Sequence, residues 1–486
     1  MPSTMTREAL LAQAGDWFDT GHLQRDIARR VAWRTESDKG APEPVLDAYL
    51  NDEIVPTLTR LGFVCEVLEN PDPKGGPMLV ARRIEGEALP TLLSYGHGDV
   101  VSGQDKQWRE GLSPWQLVAE GTGASERWYG RGTADNKGQH SINFSALQHV
   151  ITARSGHLGY NITLLLEMGE EAGSPGLRAL CERERDNGQG RLRADVFIAS
   201  DGPRVHADKP TVFLGSRGLV NFSLRVHSRD RAYHSGNWGG VLTNPGIVLA
   251  HAIATMVDAH GKLLIDGLRP SAVSPSVRRA LDGVEMGGGA DDPQTNPAWG
   301  EPGLSTAERL VAWNTLEVLA LGAGSAERPI NAIPPAAVAH CQLRFVPGTP
   351  WQQLQDTVRA HLDAHGFAEV AVNVTAASPA TRLDVDNPWV TWAVQSMAIS
   401  TGKPVTVLPN LAGSLPNDVF ADVLGLPTLW VPHSYPACSQ HAPNEHLLAS
   451  VAREGLCAMA GIFWDLGAPQ GLPWHGHDGG IDGLPA

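Results

Sequence analysis

The sequence predicts an α/β protein with a mostly parallel central sheet flanked by helices, into which a smaller α+β domain is inserted. Three observations carry this. Between residues 63 and 200, short apolar runs alternate with helical stretches, the pattern of a largely parallel sheet. Around Leu214 the pattern changes to strands that alternate polar and apolar residues, as a sheet with one solvated face requires. A late apolar run, TLWVP at 428–432, then returns to the first pattern. The length of 486 residues, about three times a typical domain, accommodates both parts.

In order, the first 62 residues read as helical. Leu10, Leu11, Trp17, Phe18, Ile27 and Val31 recur near helical spacing, and a second run covers Val45 to Leu61. Strands are expected at 63–69, 78–84, 91–95, 161–167, 194–200 and 428–432, with helices from Lys137 to Ala153 and from Leu177 to Glu184. In the inserted part, 219–228 alternates as a strand, and Asn244 and Pro245 open a helix running to His260. A loop rich in Gly, Pro and Asp follows over 283–303. A helix from Thr306 to Trp313 and strands near 315–321, 336–346 and 369–376 complete it. The main domain is therefore expected over 1–215 and 381–486, and the inserted one over 216–380. The Gly-rich tail reads as loosely packed, although its His475 and His477 are of a metal-binding type.

Composition narrows the function. The 53 acidic against 38 basic residues give a net charge of -15, which argues against nucleic acid or an anionic membrane as partner. No apolar stretch is long enough to span a bilayer, and the N-terminus lacks the basic and apolar pattern of a signal peptide. Cys65, Cys181, Cys341, Cys438 and Cys457 are scattered with no CxxC pair, so neither a disulfide framework nor a cysteine zinc site is expected. The expected compartment is the cytoplasm.

Four stretches place His, Asp or Glu just after an apolar strand: GHGDVV (His97, Asp99), MGEEAGSPG (Glu170, Glu171), ASDGP (Asp201), and the segment leading from TLWVP to His441. Ligands of open α/β sheets bind beyond the carboxyl ends of the strands, so these clusters are expected to converge. A fifth stretch, WYGRGTADNKGQH, holds Asp135 between glycine-bearing turns just before a helix. Each piece alone has a plain structural explanation. Together, His97, Asp135, Glu171, Asp201 and His441 offer two imidazoles and three carboxylates, a donor set suited to zinc, with cobalt or manganese as substitutes.

In order and spacing, GHGDVV, GRGTADNKG, MGEEAGSPG, ASDGP and SQHAPNEH resemble the metal-site motifs of the carnosinase-like dinuclear metallopeptidases, a group that includes the aminoacylases and succinyl-diaminopimelate desuccinylase. The resemblance runs from about Pro42 to Leu466. It implies that His97 and Asp201 bind one divalent ion, Glu171 and His441 a second, and that Asp135 bridges them. Asp99 would orient His97, and Glu170 would be the general base, although spacing leaves open the reverse roles of Glu170 and Glu171. It also implies a cis peptide between Asp135 and Asn136. Two divalent ions against three carboxylates leave one positive charge, which a bridging hydroxide would neutralise.

In the inserted part the resemblance implies substrate contacts. Arg344, in CQLRFVPG, would fork onto a substrate carboxylate, although an arginine between Leu343 and Phe345 also fits a structural ion pair. His234, in AYHSGNWGG, would stabilise the oxyanion from a partner subunit, making this domain both lid and homodimer interface. Asn331, Gly413 and Ser414 would also contact substrate. The chain departs from the family at Ala412, where glycine is common, and at Asn136, where many members carry aspartate. The expected activity is hydrolysis of the amide bond of dipeptides or related small substrates with a free carboxylate. An N-acyl-amino-acid deacylase or desuccinylase is the alternative, and a catalytically inert binding protein a third reading.

Overall fold

The computed structural model of the chain describes residues 5–37, 44–186, 190–287, 292–468 and 471–474. His475 and His477 lie outside the described residues. The larger sheet has eight strands, in the spatial order Val64–Leu68, Met78–Arg83, Asn161–Glu167, Thr91–His97, Val196–Ala199, Thr428–Trp430, Thr211–Phe213 and Thr406–Leu408. The four central strands, from Asn161–Glu167 to Thr428–Trp430, run parallel, as expected from the helical crossover Lys137–Ala153. Toward one edge the sheet turns antiparallel, because Val64–Leu68 and Met78–Arg83 form a hairpin.

The central strands are buried on both faces, which is why they read as unbroken apolar runs. On one face pack the helices Arg7–Asp19, Lys137–Ala153 and Ala449–Leu466. The last of these, and Pro388–Thr401 beside it, carry few polar residues and so lack the stripe that marks a surface helix. Phe197, Phe213, Phe420 and Trp430 fill the other face.

Between residues 218 and 378 the chain forms a separate four-stranded antiparallel sheet, in the order Thr315–Gly322, Ala336–Phe345, Gly218–His227 and Ala371–Ser378. Its apolar face packs on the helices Pro245–Met256 and Leu354–Ala364. Asn244 caps the first of these by accepting from the Gly246 amide. The two passages joining the sheets run side by side, with the Leu383 and Thr381 amides donating to the Leu214 and Ser216 carbonyls at 2.7 and 3.1 Å. All five cysteines are free thiols. No helix among the described residues is long and apolar enough to cross a membrane.

Candidate metal centre

The residues singled out beyond the strand ends meet. His97 ends the strand Thr91–His97, Glu170 and Glu171 form a short 3-10 turn after Asn161–Glu167, and Asp201 follows Val196–Ala199. Ligand atoms of His97, Asp135 and Asp201 lie within 4.8 Å of one another, as do those of Asp135, Glu171 and His441. Asp135 belongs to both groups: its Oδ1 is 2.9 Å from His97 Nε2 and its Oδ2 is 3.0 Å from His441 Nε2. Glu171 Oε2 stands 3.0 Å from the same His441 nitrogen. The peptide between Asp135 and Asn136 is cis. The centre is graded in depth: the His97 side chain is fully buried, whereas that of His441 is 53% exposed. One end is sealed in the core and the other is open to solvent.

Three backbone features hold the donors. Asp135 sits directly before the helix Lys137–Ala153, whose Gly138 lies so close to the Thr133 carbonyl that any side chain there would strike it. The His441 loop carries Ser439, His441 and Asn444 in the left-handed region, each costing about 1–3 kcal/mol for a residue other than glycine. Such local cost is tolerated where it aims a functional side chain. Asp99 ties the ligand-bearing turns together: its carboxylate accepts from the Glu170 and Glu171 amides at 3.2 and 3.1 Å and from Ser37 Oγ at 2.6 Å, and lies 3.3 Å from His97 Nδ1.

The electrostatics favour positive charge at the centre. Burial alone would hold the His97 imidazole down, but hydrogen bonds to Asp135 and Asp99 outweigh it and raise it well above its usual range. Asp135 and Glu171 push His441 up to about 11. Asp135 is pushed up by burial, yet His441 and His97 hold it well below the carboxylate range. Burial, then the neighbouring Asp135 charge, lifts both Glu171 and Asp201 to about 7. Asp201 Oδ2 is buried with no hydrogen-bond partner among the described residues. A lone carboxylate oxygen beside an imidazole and a second carboxylate is the setting a divalent cation satisfies, so the donor set fits two such ions sharing Asp135. Glu170 donates to neither group; burial raises its carboxyl well above the usual range.

Glu445 is a site residue that the sequence did not reveal. Fully buried, it accepts from the Gly132, Ala134 and Asp135 amides at 3.0, 2.9 and 3.1 Å, and Arg131 Nη1 donates to it at 2.7 Å. It fixes the loop that presents Asp135. Its only trace in the sequence is its place in SQHAPNEH, four residues after His441. Gln440, next to His441, also donates to Asp135 Oδ2.

The inserted domain's residues form two sets. Arg344 donates from Nη1 to Ser414 Oγ at 2.9 Å and from Nε to Gln342 Oε1 at 2.8 Å, which joins the inserted sheet to the loop carrying Ala412, Gly413 and Ser414. Arg344 forms no ion pair among the described residues, so the structural pairing considered for it is not found there. His234 pairs with Ala332 in a two-residue ladder, and the Ser235 amide donates to the Asn331 carbonyl at 2.9 Å. Both His234 and Asn331 are exposed, and among the described residues neither touches the metal cluster of its own chain.

Comparison with known proteins shows what the chain and its fold are similar to. The chain is 28% identical over 341 residues to a cysteinylglycine-S-conjugate dipeptidase of Corynebacterium striatum, covering 67% of this chain and 70% of that one. It is 31% identical over 278 residues to the Beta-Ala-His dipeptidase of Homo sapiens, covering 54% of this chain and 53% of that one. Human carnosine dipeptidase 1 has the same fold, with a TM-score of 0.75 at 21% identity over 94% of this chain and 99% of the other. A dipeptidase of Saccharomyces cerevisiae, Dug1p, superposes with the same TM-score over 94% and 98% of the two chains, at 21% identity. Residues 93–465, which include every ligand of the two clusters, match one family over most of the chain, and the chain belongs to peptidase family M20/M25/M40.

Proposed function

We propose that the chain hydrolyses the amide bond of dipeptides or related small substrates that carry a free carboxylate. The observation that carries this reading is the pair of ligand groups sharing Asp135, with the half-buried Glu170 on the turn beside them. His97, Asp135 and Asp201 would hold one divalent ion, and Asp135, Glu171 and His441 the other. Zinc fits the mixed donors, with cobalt or manganese as substitutes. Two such ions supply a Lewis acid for the scissile carbonyl and lower the pKa of water toward about 7. Glu170 takes the proton of the attacking water and passes it to the leaving amine, a transfer favoured by a carboxyl that burial inclines to keep its proton. Asp99 keeps His97 and the Glu170–Glu171 turn in register. Arg344, with Ser414 and the Gly413 backbone, anchors the substrate carboxylate. The dipeptidase names of the relatives support a peptide rather than an acyl amino acid as substrate.

A panel of dipeptides, their C-terminal amides and N-acetyl and N-succinyl amino acids tests the reading. Dipeptides with a free carboxylate should be cleaved fastest; turnover of acyl amino acids alone overturns it in favour of a deacylase. Arg344→Ala should lower kcat/KM about 100-fold on free acids and far less on amides. Equal losses on both remove the anchoring role.

The segment 216–380 is proposed as lid and dimerisation domain. Its edge strand Thr315–Gly322 leaves backbone groups unpaired and exposes Leu319 and Leu321, and helix Pro245–Met256 exposes Ile247. A homodimer through this face would let His234 and Asn331 serve the other subunit's site. Light scattering should then give about twice the 51.9 kDa chain mass. A fully active monomer would rule out a contribution of His234 across the interface.

A further inference from the structure

A cavity of about 700 Å³ is lined both by residues near the carboxyl ends of the larger sheet, Leu408 and Leu411 among them, and by residues of the inserted part. Pro203, two residues after Asp201, and Arg344 both line it. It is larger than a substrate carboxylate needs, and most of its wall is apolar. Trp299 and Leu310, both substantially exposed, face it together with the buried Trp313 and Leu411.

The wall is built rather than incidental. Trp299 lies over Gly261, whose left-handed backbone leaves no room for a side chain beneath the indole. Arg309 donates to the Pro297 carbonyl at 2.9 Å and to that of Trp299, and the Gly300 amide donates to the His260 carbonyl at 2.6 Å. These bonds pin the Trp299 segment to the inserted domain.

A second guanidinium shares the cavity. Arg217 is buried, donates from Nε to the Ala412 carbonyl at 2.9 Å, and accepts at its own carbonyl from Ser414 Oγ at 2.7 Å. Burial and the neighbouring Arg344 charge push it down to about 10, and Arg344 itself is lowered by burial. Neither forms an ion pair among the described residues; Glu317, exposed on the neighbouring strand, is the acidic group whose field reaches Arg217. Leu219, two residues after Arg217, pairs with Arg344 in the inserted sheet, so the two cationic residues stand side by side in the cavity wall, a placement that favours an anion at them.

We propose that this cavity receives the C-terminal residue of the substrate, its carboxylate between Arg217 and Arg344 and a large apolar side chain against Trp299 and Leu310. This rests on the amide-hydrolase reading and adds the class of substrate: peptides ending in a bulky aliphatic or aromatic residue. An acyl or amino group on the far side of the scissile bond is not seen by this wall.

The test uses the metal-replete full chain with Ala-Gly, Ala-Leu and Ala-Phe, and with N-acetyl-Gly, N-acetyl-Leu and N-acetyl-Phe. The Ala-Phe to Ala-Gly ratio of kcat/KM should be about tenfold or more. In Trp299→Ala and Leu310→Ala that ratio should fall toward one. A ratio measured within one preparation is insensitive to partial misfolding, which scales both substrates alike. Arg217→Gln should raise KM for Ala-Phe about tenfold more than for its amide. A wild-type ratio near one, a ratio unmoved in both wall variants, or equal effects of Arg217→Gln on acid and amide overturns the assignment. Hydrolysis of the N-acetyl series alone would sink the dipeptidase reading, and the same Phe to Gly ratio within that series would still judge the cavity.

Discussion

Replacing Glu170 by Gln should lower kcat by about 10³-fold or more while the protein still binds two ions. The expectation follows from position. Glu170 begins the turn whose next residue, Glu171, stands against His441, yet it belongs to neither ligand group. A carboxyl so placed can move a proton without giving up a ligand bond, and a positioned general base is worth about 10²–10⁴ in rate. Gln keeps the size and one oxygen but accepts no proton. Metal analysis and the pH profile separate this role from a structural one. Metal content near wild type, with the kcat-controlling ionisation gone, is the expected result. If Glu170 were the ligand and Glu171 the base, the variant would instead lose bound metal.

Stability adds an independent check on the same variant. Burial raises the Glu170 carboxyl well above its value in the unfolded chain. The folded state therefore holds a proton that the unfolded state releases, and stability falls as pH rises from the unfolded value toward the folded one. Glu170→Gln removes that ionisation, so chelator-treated variant should melt no lower than wild type at pH 8. A clearly lower melting temperature would mean the carboxylate holds the fold together, and that the activity loss is not chemical. Sites that perturb a group for chemistry commonly do so against stability.

Much of this centre is legible in the sequence because each ligand sits where backbone punctuation is strong. His97, Glu171 and Asp201 each follow an apolar strand, and Asp135 stands between glycines ahead of a helix. What escapes is of another kind. Glu445 works by accepting three backbone amides, and backbone contacts leave no side-chain pattern to read. Arg217 gains meaning only from Arg344, more than a hundred residues away in sequence but brought beside it by the pairing of Leu219 with Arg344. The strands Thr211–Phe213 and Thr406–Leu408 are too short to show a period, and they pair only with one another and with Thr428–Trp430. The inserted sheet is readable throughout because one of its faces is wet, whereas the dimer proposed for it depends on side chains that are merely exposed.

Asp135→Ala should remove the activity, by about 10⁴-fold or more, and the metal with it. Among the described residues Asp135 alone belongs to both ligand groups, so its loss leaves two donors on each side, His97 with Asp201 and Glu171 with His441. Divalent ions at protein sites of this type ordinarily have three or more protein ligands. Bound metal should fall from two ions per chain to well under one, and the Lewis-acid contribution of several kcal/mol goes with it. Proton competition sharpens the test. Glu171 and Asp201 hold protons up to about pH 7, through burial first and the Asp135 charge second. Cation uptake must displace these protons and also those of the His97 and His441 imidazoles, which hydrogen bonds to Asp135 raise, so wild-type affinity should rise with pH through about 7 and go on rising above it. In the variant the Asp135 charge is gone, so both carboxyls and both imidazoles release their protons at lower pH and the rise shifts to lower pH, while affinity stays weaker throughout for want of a shared ligand. Two tightly held ions and near-normal turnover in Asp135→Ala would show that the clusters are separate, and a mechanism built on their common carboxylate would have to be abandoned.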